Sequence, residues 1–160
     1  MNWIIKKTVK TDFHTHLDII IAPIKADIIS YNWILSDLEI NYLKDLPVNH
    51  EDEYFILSPT EFEKMLGKDV QIIWGVIIAV PMGIKIEILD DKFPYSEGND
   101  LAWQNGNIQY PDGKIEIICF DSSLTIVKFA DKPLSDKFKA YFGDEAIDLE
   151  KPGKIPTWLR

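Results

Sequence analysis

The longest apolar run of the chain, Val70 to Val80, most constrains what it can fold into. The run has eleven residues, includes Gln71, and is rich in β-branched and aromatic side chains. A membrane-spanning helix needs about 20 apolar residues, so this run is too short to be one. Continuous apolar composition of this kind is typical of a strand that is covered on both sides. The sequence therefore predicts a β-strand buried on both faces.

Shorter patterns on either side of this run predict an α+β fold. Alternating polar and apolar residues predict strands at residues 30–35 and 84–88, and further short strands are predicted in the first ten residues and at residues 53–57, 114–120 and 124–129. Helical spacing predicts helices from Thr11, at residues 58–67, and from Asp131 to Gly143. This order favours a mostly antiparallel sheet with about three helices packed against one of its faces.

The strongest local signal is the start of the middle helix. Ser58-Pro59-Thr60-Glu61 has the pattern of a capping box, with proline at the first helical position. The serine hydroxyl accepts a hydrogen bond from a free amide of the first turn, and the glutamate reaches back to the serine amide. Phe62, Met65 and Leu66 then supply the apolar stripe, and Gly67 ends the helix.

The length and the single cysteine bound the type of domain. With 160 residues, 46% of them hydrophobic, the chain is predicted to form one domain over residues 1–160, with residues 151–160 as an extended tail. Cys119 has no partner for an internal disulfide, so nothing calls for an oxidising compartment. The N-terminal residues lack the apolar core of a secretory signal, and a cytoplasmic location is predicted.

The charge of the chain limits its partners. Seventeen basic and 26 acidic side chains give a formal net charge of −9. This field repels nucleic-acid phosphates and anionic lipid surfaces, so neither is predicted as a partner. It favours a cationic partner, or it serves only to keep the protein in solution, and the composition alone leaves both interpretations open.

One short motif points to metal chemistry. Residues Asp12 to Asp18 contain His14-Thr15-His16, which resembles the histidine-x-histidine metal motif of amidohydrolase and PHP-type barrel hydrolases. Those barrels need about 250 residues and further histidines from later strands, whereas the only other histidine here is His50. No metal site is therefore predicted, and a metal-dependent hydrolase that uses His14 and His16 stays an alternative hypothesis.

No other pattern supports catalysis or a cofactor. Asp121-Ser122-Ser123 lies between two strands and lacks the glycine-flanked elbow of a serine nucleophile, so a tight hairpin is the preferred interpretation. The glycines form no phosphate-binding loop, and no cofactor is predicted. The chain is therefore predicted not to be an enzyme.

A long segment rich in proline and glycine, residues 90–113, carries the predicted binding residues. It is predicted to be irregular, with one short strand around Ile108, and it combines aromatic rings with carboxylates. This composition is typical of protein-binding hot spots, although the rings could instead cap one end of the core. The candidate partner-binding residues are Asp90, Asp91, Tyr95, Glu97, Asp100 and Trp103.

Two stretches carry a family resemblance. Residues 115–129, followed by a helix that ends in Phe142, and Tyr31-Asn32-Trp33-Ile34 resemble small bacterial immunity-type proteins that accompany polymorphic or contact-dependent toxins. The resemblance implies a non-enzymatic acidic inhibitor that occludes a basic toxin, commonly a nuclease. It transfers no functional residue. An adaptor domain with some other protein partner is equally compatible with the sequence.

Overall fold

The chain is seen in a computed structural model, which describes residues 1–6, 9–10, 15–41, 46–48, 52–68, 70–89 and 92–151. Several sequence predictions fall outside these ranges. They concern the start of the helix predicted from Thr11, for which Thr11 or Asp12 is the predicted cap, part of the acidic turn predicted at residues 47–52, and residues 152–160 of the predicted tail.

Seven strands form one antiparallel sheet, which confirms the predicted α+β class. The strands are β1 (Asn2–Ile5), β2 (Tyr31–Asn41), β3 (Tyr54–Leu57), β4 (Gln71–Pro81), β5 (Ile115–Phe120), β6 (Leu124–Phe129) and β7 (Ile147–Asp148). Their spatial order is β3-β2-β4-β5-β6-β1-β7. The apolar run therefore lies in the interior of the sheet, where β4 has β2 on one side and β5 on the other.

Three α-helices cover one face of the sheet. They are α1 (Leu17–Ile21), α2 (Pro59–Leu66) and α3 (Lys132–Phe142), and short 3-10 helices occupy Ala22–Ile24, Ile28–Ser30, Asp100–Trp103 and Gly143–Glu145. On this face Trp33 of β2 stacks on Phe62 of α2, with ring centroids 3.9 Å apart. Burial of such large rings is a major source of the hydrophobic free energy that fixes the helices to the sheet.

The predicted capping box is present at the start of α2. The Ser58 hydroxyl accepts a hydrogen bond from the Glu61 amide, and the Glu61 carboxylate accepts one from the Ser58 amide at 2.8 Å. The helix ends at Gly67 as predicted. The first helix is shorter than the sequence indicates, because it begins only at Leu17.

The apolar run is buried on both faces, as predicted. Ile77 and Ala79 of β4 belong to the core beneath the helices, whereas Val76, Ile78 and Val80 belong to a second core on the opposite face. The three helices cover one face as predicted, and the opposite face is covered by a segment for which no such role was predicted. We call the chain that covers the second face the cover segment; it comprises the described residues 84–89 and 92–113.

Two predicted strands are absent from this segment. Residues 85–88 alternate in burial, and Ile86 and Ile88 pack against the second core. Residues 84–88 nevertheless join no strand ladder among the described residues. Both hydrogen-bonding edges of β4 are already taken by β2 and β5, so the chain that leaves β4 crosses the face of the sheet instead of pairing with it. The region around Ile108 likewise forms no strand.

Two elements differ in extent or were not predicted. The strand predicted at residues 30–35 is β2, which continues to Asn41 through an irregularity in its pairing with β4. Strand β7, which lies in the acidic stretch of residues 144–150, was not predicted. Two residues are too few to give a periodic pattern, and β7 exists through its pairing with β1. Among the described residues, no helix has both the length and the apolar character needed to cross a membrane.

Candidate functional site

The candidate site is built around a bulge in β2. The pairing of β2 with β4 shifts register between Ser36 and Glu39, and Asp37 has a left-handed φ of 54°. Gly75 on β4 permits this, because a Cβ atom there would come within 2.6 Å of the Leu38 side chain. Bulges bend a strand and redirect its side chains. Here the bulge directs the Asp37 carboxylate to the cover segment.

Three hydrogen bonds join the bulge to the cover segment. Both the amide and the hydroxyl of Ser96 donate to the Asp37 carboxylate, at 2.7 and 2.6 Å. The buried Ser36 hydroxyl donates to the carbonyl oxygen of Pro94 at 2.6 Å. Hydrogen bonds to a charged acceptor are among the stronger ones in proteins, so the bulge fixes the path of residues 94–96.

An acidic cleft of about 410 Å³ opens beside this junction. It contains five carboxylates and two aromatic rings, and none of its described lining residues is basic. Its lining residues are Asp37, Leu38, Glu39, Asp52, Glu53, Trp74, Phe93 and Glu97. Glu39, Glu53 and Glu97 are exposed, whereas Trp74 is half-buried and packs edge-on against Phe120. The cleft thus pairs an anionic rim with an aromatic floor.

A second cleft of about 500 Å³ adjoins the acidic cleft, since Phe93 and Asp37 line both. We call it the tyrosine cleft. Its remaining lining residues are Lys92, Pro94, Tyr95, Asn99, Leu101 and Gln109. Tyr95 and Leu101 are exposed over 46% and 49% of their surface, so apolar area next to the acidic cleft is accessible to solvent.

The predicted partner-binding residues lie in different environments. Tyr95 and Glu97 are exposed and border the two adjoining clefts. Asp100 is exposed at the start of a 3-10 helix and lines neither cleft. Trp103 is half-buried against Phe120, with ring centroids 4.9 Å apart, so it belongs to the second core. Asp90 and Asp91 lie outside the described residues.

Several cleft residues were not among the predicted site residues. Asp37, Glu39 and Trp74 come from the central strands β2 and β4, and Asp52 and Glu53 from the chain before β3. The one sequence signal was Ser36-Asp37, two polar residues that interrupt an apolar strand. Such an interruption marks a bulge as readily as a strand end, and the sequence alone does not separate the two.

A buried ion pair in the sheet binds main-chain groups of the cover segment. Glu116 of β5 and Lys128 of β6 are cross-strand partners with fully buried side chains, 2.9 Å apart between Oε2 and Nζ. Lys128 also donates to the carbonyl oxygens of Leu101 and Asn107, at 3.0 and 2.8 Å. Glu116 accepts a hydrogen bond from the Gln109 amide at 3.0 Å. Both charges are thus used to hold main-chain groups of the cover segment.

Burial shifts both titrations of this pair. Loss of solvation raises the pKa of Glu116, and the nearby ammonium group of Lys128 opposes this. Loss of solvation lowers the pKa of Lys128, and the Glu116 carboxylate opposes it. In each case desolvation is the larger effect, because neither side chain contacts water. The pair therefore has a desolvation cost that its hydrogen bonds must offset.

The serine hairpin and the cysteine considered in the sequence analysis have structural roles. Asp121 and Ser122 adopt left-handed turn conformations between β5 and β6, and the Ser122 hydroxyl accepts a hydrogen bond from Gln71 at 3.2 Å. The predicted hairpin is thereby confirmed. Cys119 is a free, fully buried thiol whose pKa is raised by desolvation. A buried neutral thiol is a poor nucleophile.

The histidine motif is only partly described. His14 and His50 lie outside the described residues, and His16 precedes α1 and forms a single β-bridge with Gln71. Within the described part of the chain, no group of three or more His, Cys, Asp or Glu side chains is placed to hold a metal ion.

Comparison with known proteins gives no relative. No family model matches the sequence, and neither the curated proteins nor the solved structures contain a match. The fold and the cleft by themselves define a seven-stranded antiparallel α+β domain with an acidic cleft, lined by two aromatic rings, at a strand bulge.

Proposed function

We propose that this chain is a non-enzymatic protein-binding protein whose acidic cleft receives an arginine or lysine side chain of a basic protein partner. The observation that carries the proposal is the lining of the cleft, whose described residues include five carboxylates and two aromatic rings and no basic side chain. The resemblance to immunity-type proteins gives the finer form of the proposal, an inhibitor that occludes a cognate basic toxin in the cytoplasm.

The cleft chemistry favours a cationic side chain as its occupant. A guanidinium or ammonium group placed over an aromatic face gains about 0.5–2 kcal/mol, depending on how well water is excluded. Trp74 and Phe93 supply such faces, and the carboxylates of Glu39 and Glu97 provide acceptors at the rim. Arginine fits best, because its planar group can stack on a ring and donate to carboxylates at the same time.

The wider surface favours a protein over a small cation. Tyr95 and Leu101 expose apolar area around the adjoining tyrosine cleft. Rings surrounded by polar groups are typical anchors at the centre of protein interfaces. The net charge of −9 adds long-range attraction to a basic partner, which raises the association rate most strongly at low salt.

Peptide titration tests the cleft directly. We expect a blocked Gly-Arg-Gly-Arg-Gly peptide to shift the amide resonances of Glu39 and Glu53 and the indole resonance of Trp74 in a salt-dependent manner. The same peptide with citrulline in place of arginine removes the positive charge and keeps the shape. Equal shifts with both peptides, or shifts that avoid the cleft, would refute the proposal.

A matched pair of variants separates the cleft from net charge. Glu39→Gln with Glu97→Gln removes two rim charges, and Asp18→Asn with Glu63→Gln removes two exposed charges from α1 and α2. We expect the first pair to weaken arginine-peptide binding at least tenfold and the second to leave it within about twofold. Equal weakening by both pairs would mean that overall charge, and not the cleft, attracts the peptide.

The immunity-type form of the proposal has its own test. The chain is co-expressed with the product of the adjacent upstream reading frame, and we expect a salt-sensitive complex that Glu39→Gln with Glu97→Gln weakens. If the neighbouring frame encodes no toxin-like domain and no complex forms, the inhibitor role fails. The peptide titration alone would then decide whether the cleft binds a basic segment.

A further inference from the structure

The cover segment is held chiefly at a few polar points. Its described residues contribute no strand to the sheet, so the ladder hydrogen bonds that fix the other elements are missing. Ala102 is fully buried on the second core, but the larger apolar residues of the segment, among them Ile86, Trp103 and Ile108, are only partly buried. A segment of this kind belongs to the less stable parts of a fold, and individual polar contacts decide its position.

The buried ion pair supplies three of those contacts. Lys128 reaches two carbonyl oxygens, of Leu101 and Asn107, that are six residues apart in the segment, and Glu116 holds the Gln109 amide. The charges come from neighbouring strands in fixed cross-strand register. Because the two side chains are rigidly placed by the sheet, the segment can satisfy all three contacts in only one position.

Gln109 links the buried ion pair to Tyr95 at the exposed edge of the cover segment. The side-chain oxygen of Gln109 accepts hydrogen bonds from the Tyr95 amide at 3.0 Å and from Asn99 at 2.8 Å. Asn99 in turn donates to the Tyr95 carbonyl oxygen at 2.9 Å. A continuous path therefore runs from Glu116 through Gln109 to Tyr95, which borders the tyrosine cleft.

We propose that Glu116 and Lys128 are positioning residues that hold the cover segment, and with it Tyr95 and the shared wall of the two clefts, in the binding conformation. The positioning itself is independent of any partner. Its consequence for binding rests on the proposed function. An interface that is already ordered loses less conformational entropy on association, so the pair would increase affinity without touching the partner.

Amide hydrogen exchange of a charge-free double variant tests the positioning. Glu116→Gln with Lys128→Met removes both charges together, so no unpaired charge stays buried, and it deletes the donor to both carbonyl oxygens. We expect exchange at Tyr95, Gln104, Asn107 and Gln109 to rise at least tenfold, while amides in the interior of β4 keep their protection. An unchanged exchange rate in the segment would overturn the proposal, and so would equal loss of protection in β4.

Two further variants exclude simpler explanations. Lys132→Met with Asp136→Asn removes an exposed ion pair from α3 and should leave exchange in the segment unchanged. Gln109→Leu keeps the ion pair and the Gln109 amide but removes the acceptor for Tyr95 and Asn99. It should free Tyr95 while Asn107 stays protected. If Gln109→Leu leaves Tyr95 exchange unchanged, the path to the rim is wrong.

Binding of the arginine peptide then completes the test. We expect the double variant to weaken it at least threefold, although neither residue lines either cleft. If exchange rises and the wild-type protein binds the peptide but the double variant binds equally well, the segment is positioned without consequence for binding. If the wild-type protein itself does not bind, the proposed function fails and the exchange result still decides the positioning.

Discussion

At the scale of single residues, the buried pair of Glu116 and Lys128 is the least expected feature of the chain. Glu116 lies in β5 and Lys128 in β6, two strands whose other residues, apart from Thr125, are apolar and buried. Charged groups in such positions cost stability unless they are paired and their remaining hydrogen-bonding groups are satisfied. Here the partners come from the cover segment, so the chemistry of two residues links the sheet to an irregular stretch of chain.

Removal of one charge of this pair should lower the free energy of unfolding more than removal of both charges. We expect Lys128→Met to lower the free energy of unfolding by about 3–5 kcal/mol, because Glu116 is then left buried without its partner. Glu116→Gln with Lys128→Met should restore more than about 1 kcal/mol of that loss. Urea unfolding of the two single variants and the double variant measures the coupling. Strictly additive losses would show that the two charges do not stabilise each other.

Gly113 is required by close packing at the end of the cover segment. A Cβ atom at this position would lie 2.5 Å from Ile108 and 2.9 Å from Ile78. We expect Gly113→Ala to destabilise the fold by about 1–3 kcal/mol through overpacking. Gly67→Ala is the matched control, since Gly67 is exposed, has a φ of −71° and has no neighbouring atom nearer than 3.7 Å to the added Cβ. Similar melting temperatures for the two variants would contradict this account.

At the scale of elements, α2 and the strand bulge show how far local sequence specifies structure. The helix follows from its own cap, proline and apolar stripe, and it forms where those signals place it. The bulge depends on Gly75, a residue of the neighbouring strand about 40 positions later in the chain. A local pattern cannot report such a contact, so the bulge and the carboxylate that it orients were not predicted.

The capping box gives a prediction with a defined pH dependence. Hydrogen bonds from Ser58 hold the pKa of Glu61 below its ordinary value of 4.5. The unfolded chain therefore binds this proton more readily, so the stabilisation is fully present above pH 4.5 and is lost as the pH falls through the folded pKa. We expect the Ser58 amide resonance to titrate with a midpoint below 4.5.

Substitution of the cap checks the same element. Ser58→Ala should lower the free energy of unfolding by about 1 kcal/mol. It should also raise the Glu61 midpoint, because the hydroxyl bond is lost while the amide of residue 58 still donates to the carboxylate. Thr60→Ala, at an exposed position in the same first turn, serves as the control and should have little effect. An unchanged Glu61 midpoint in Ser58→Ala would mean that the Ser58 hydroxyl is not what lowers the Glu61 pKa.

At the scale of the whole molecule, the sheet has two different covers. Helices with caps and apolar stripes cover one face, and an irregular segment fixed by polar contacts covers the other. The acidic cleft lies where the second cover meets the bulge of β2. The site proposed for binding is therefore built by the less stable of the two layers, supported by the rigid strands of the sheet.

This arrangement predicts an order of hydrogen-exchange protection. Amides of β4, β5 and β6 should exchange only through global unfolding, because these strands are paired on both edges. Amides of Lys85, Ile86 and Ile88 should exchange several orders of magnitude faster, since these residues belong to no strand ladder of the described chain. Alternating strong protection across residues 84–88 would instead support the strand that the sequence pattern indicates.

The sequence by itself determined the local elements and the class of fold. The apolar run from Val70 to Val80, the capping box at Ser58 and the hairpin at Asp121 each form where short-range signals place them, because periodicity, caps and turns act between near neighbours. The same run already implied cover on both sides, yet its second cover was not identified, since a segment rich in proline and glycine has no period to recognise.

Only the tertiary structure decided where that segment lies and what it builds. The strand predicted at residues 84–88 does not form, because both edges of β4 are occupied by strands from distant parts of the chain. The acidic cleft joins residues from β2, from the chain before β3, from β4 and from the cover segment. Which carboxylates lie in the same cleft depends on these long-range contacts, and neither the charge count nor the spacing along the chain predicts such contacts.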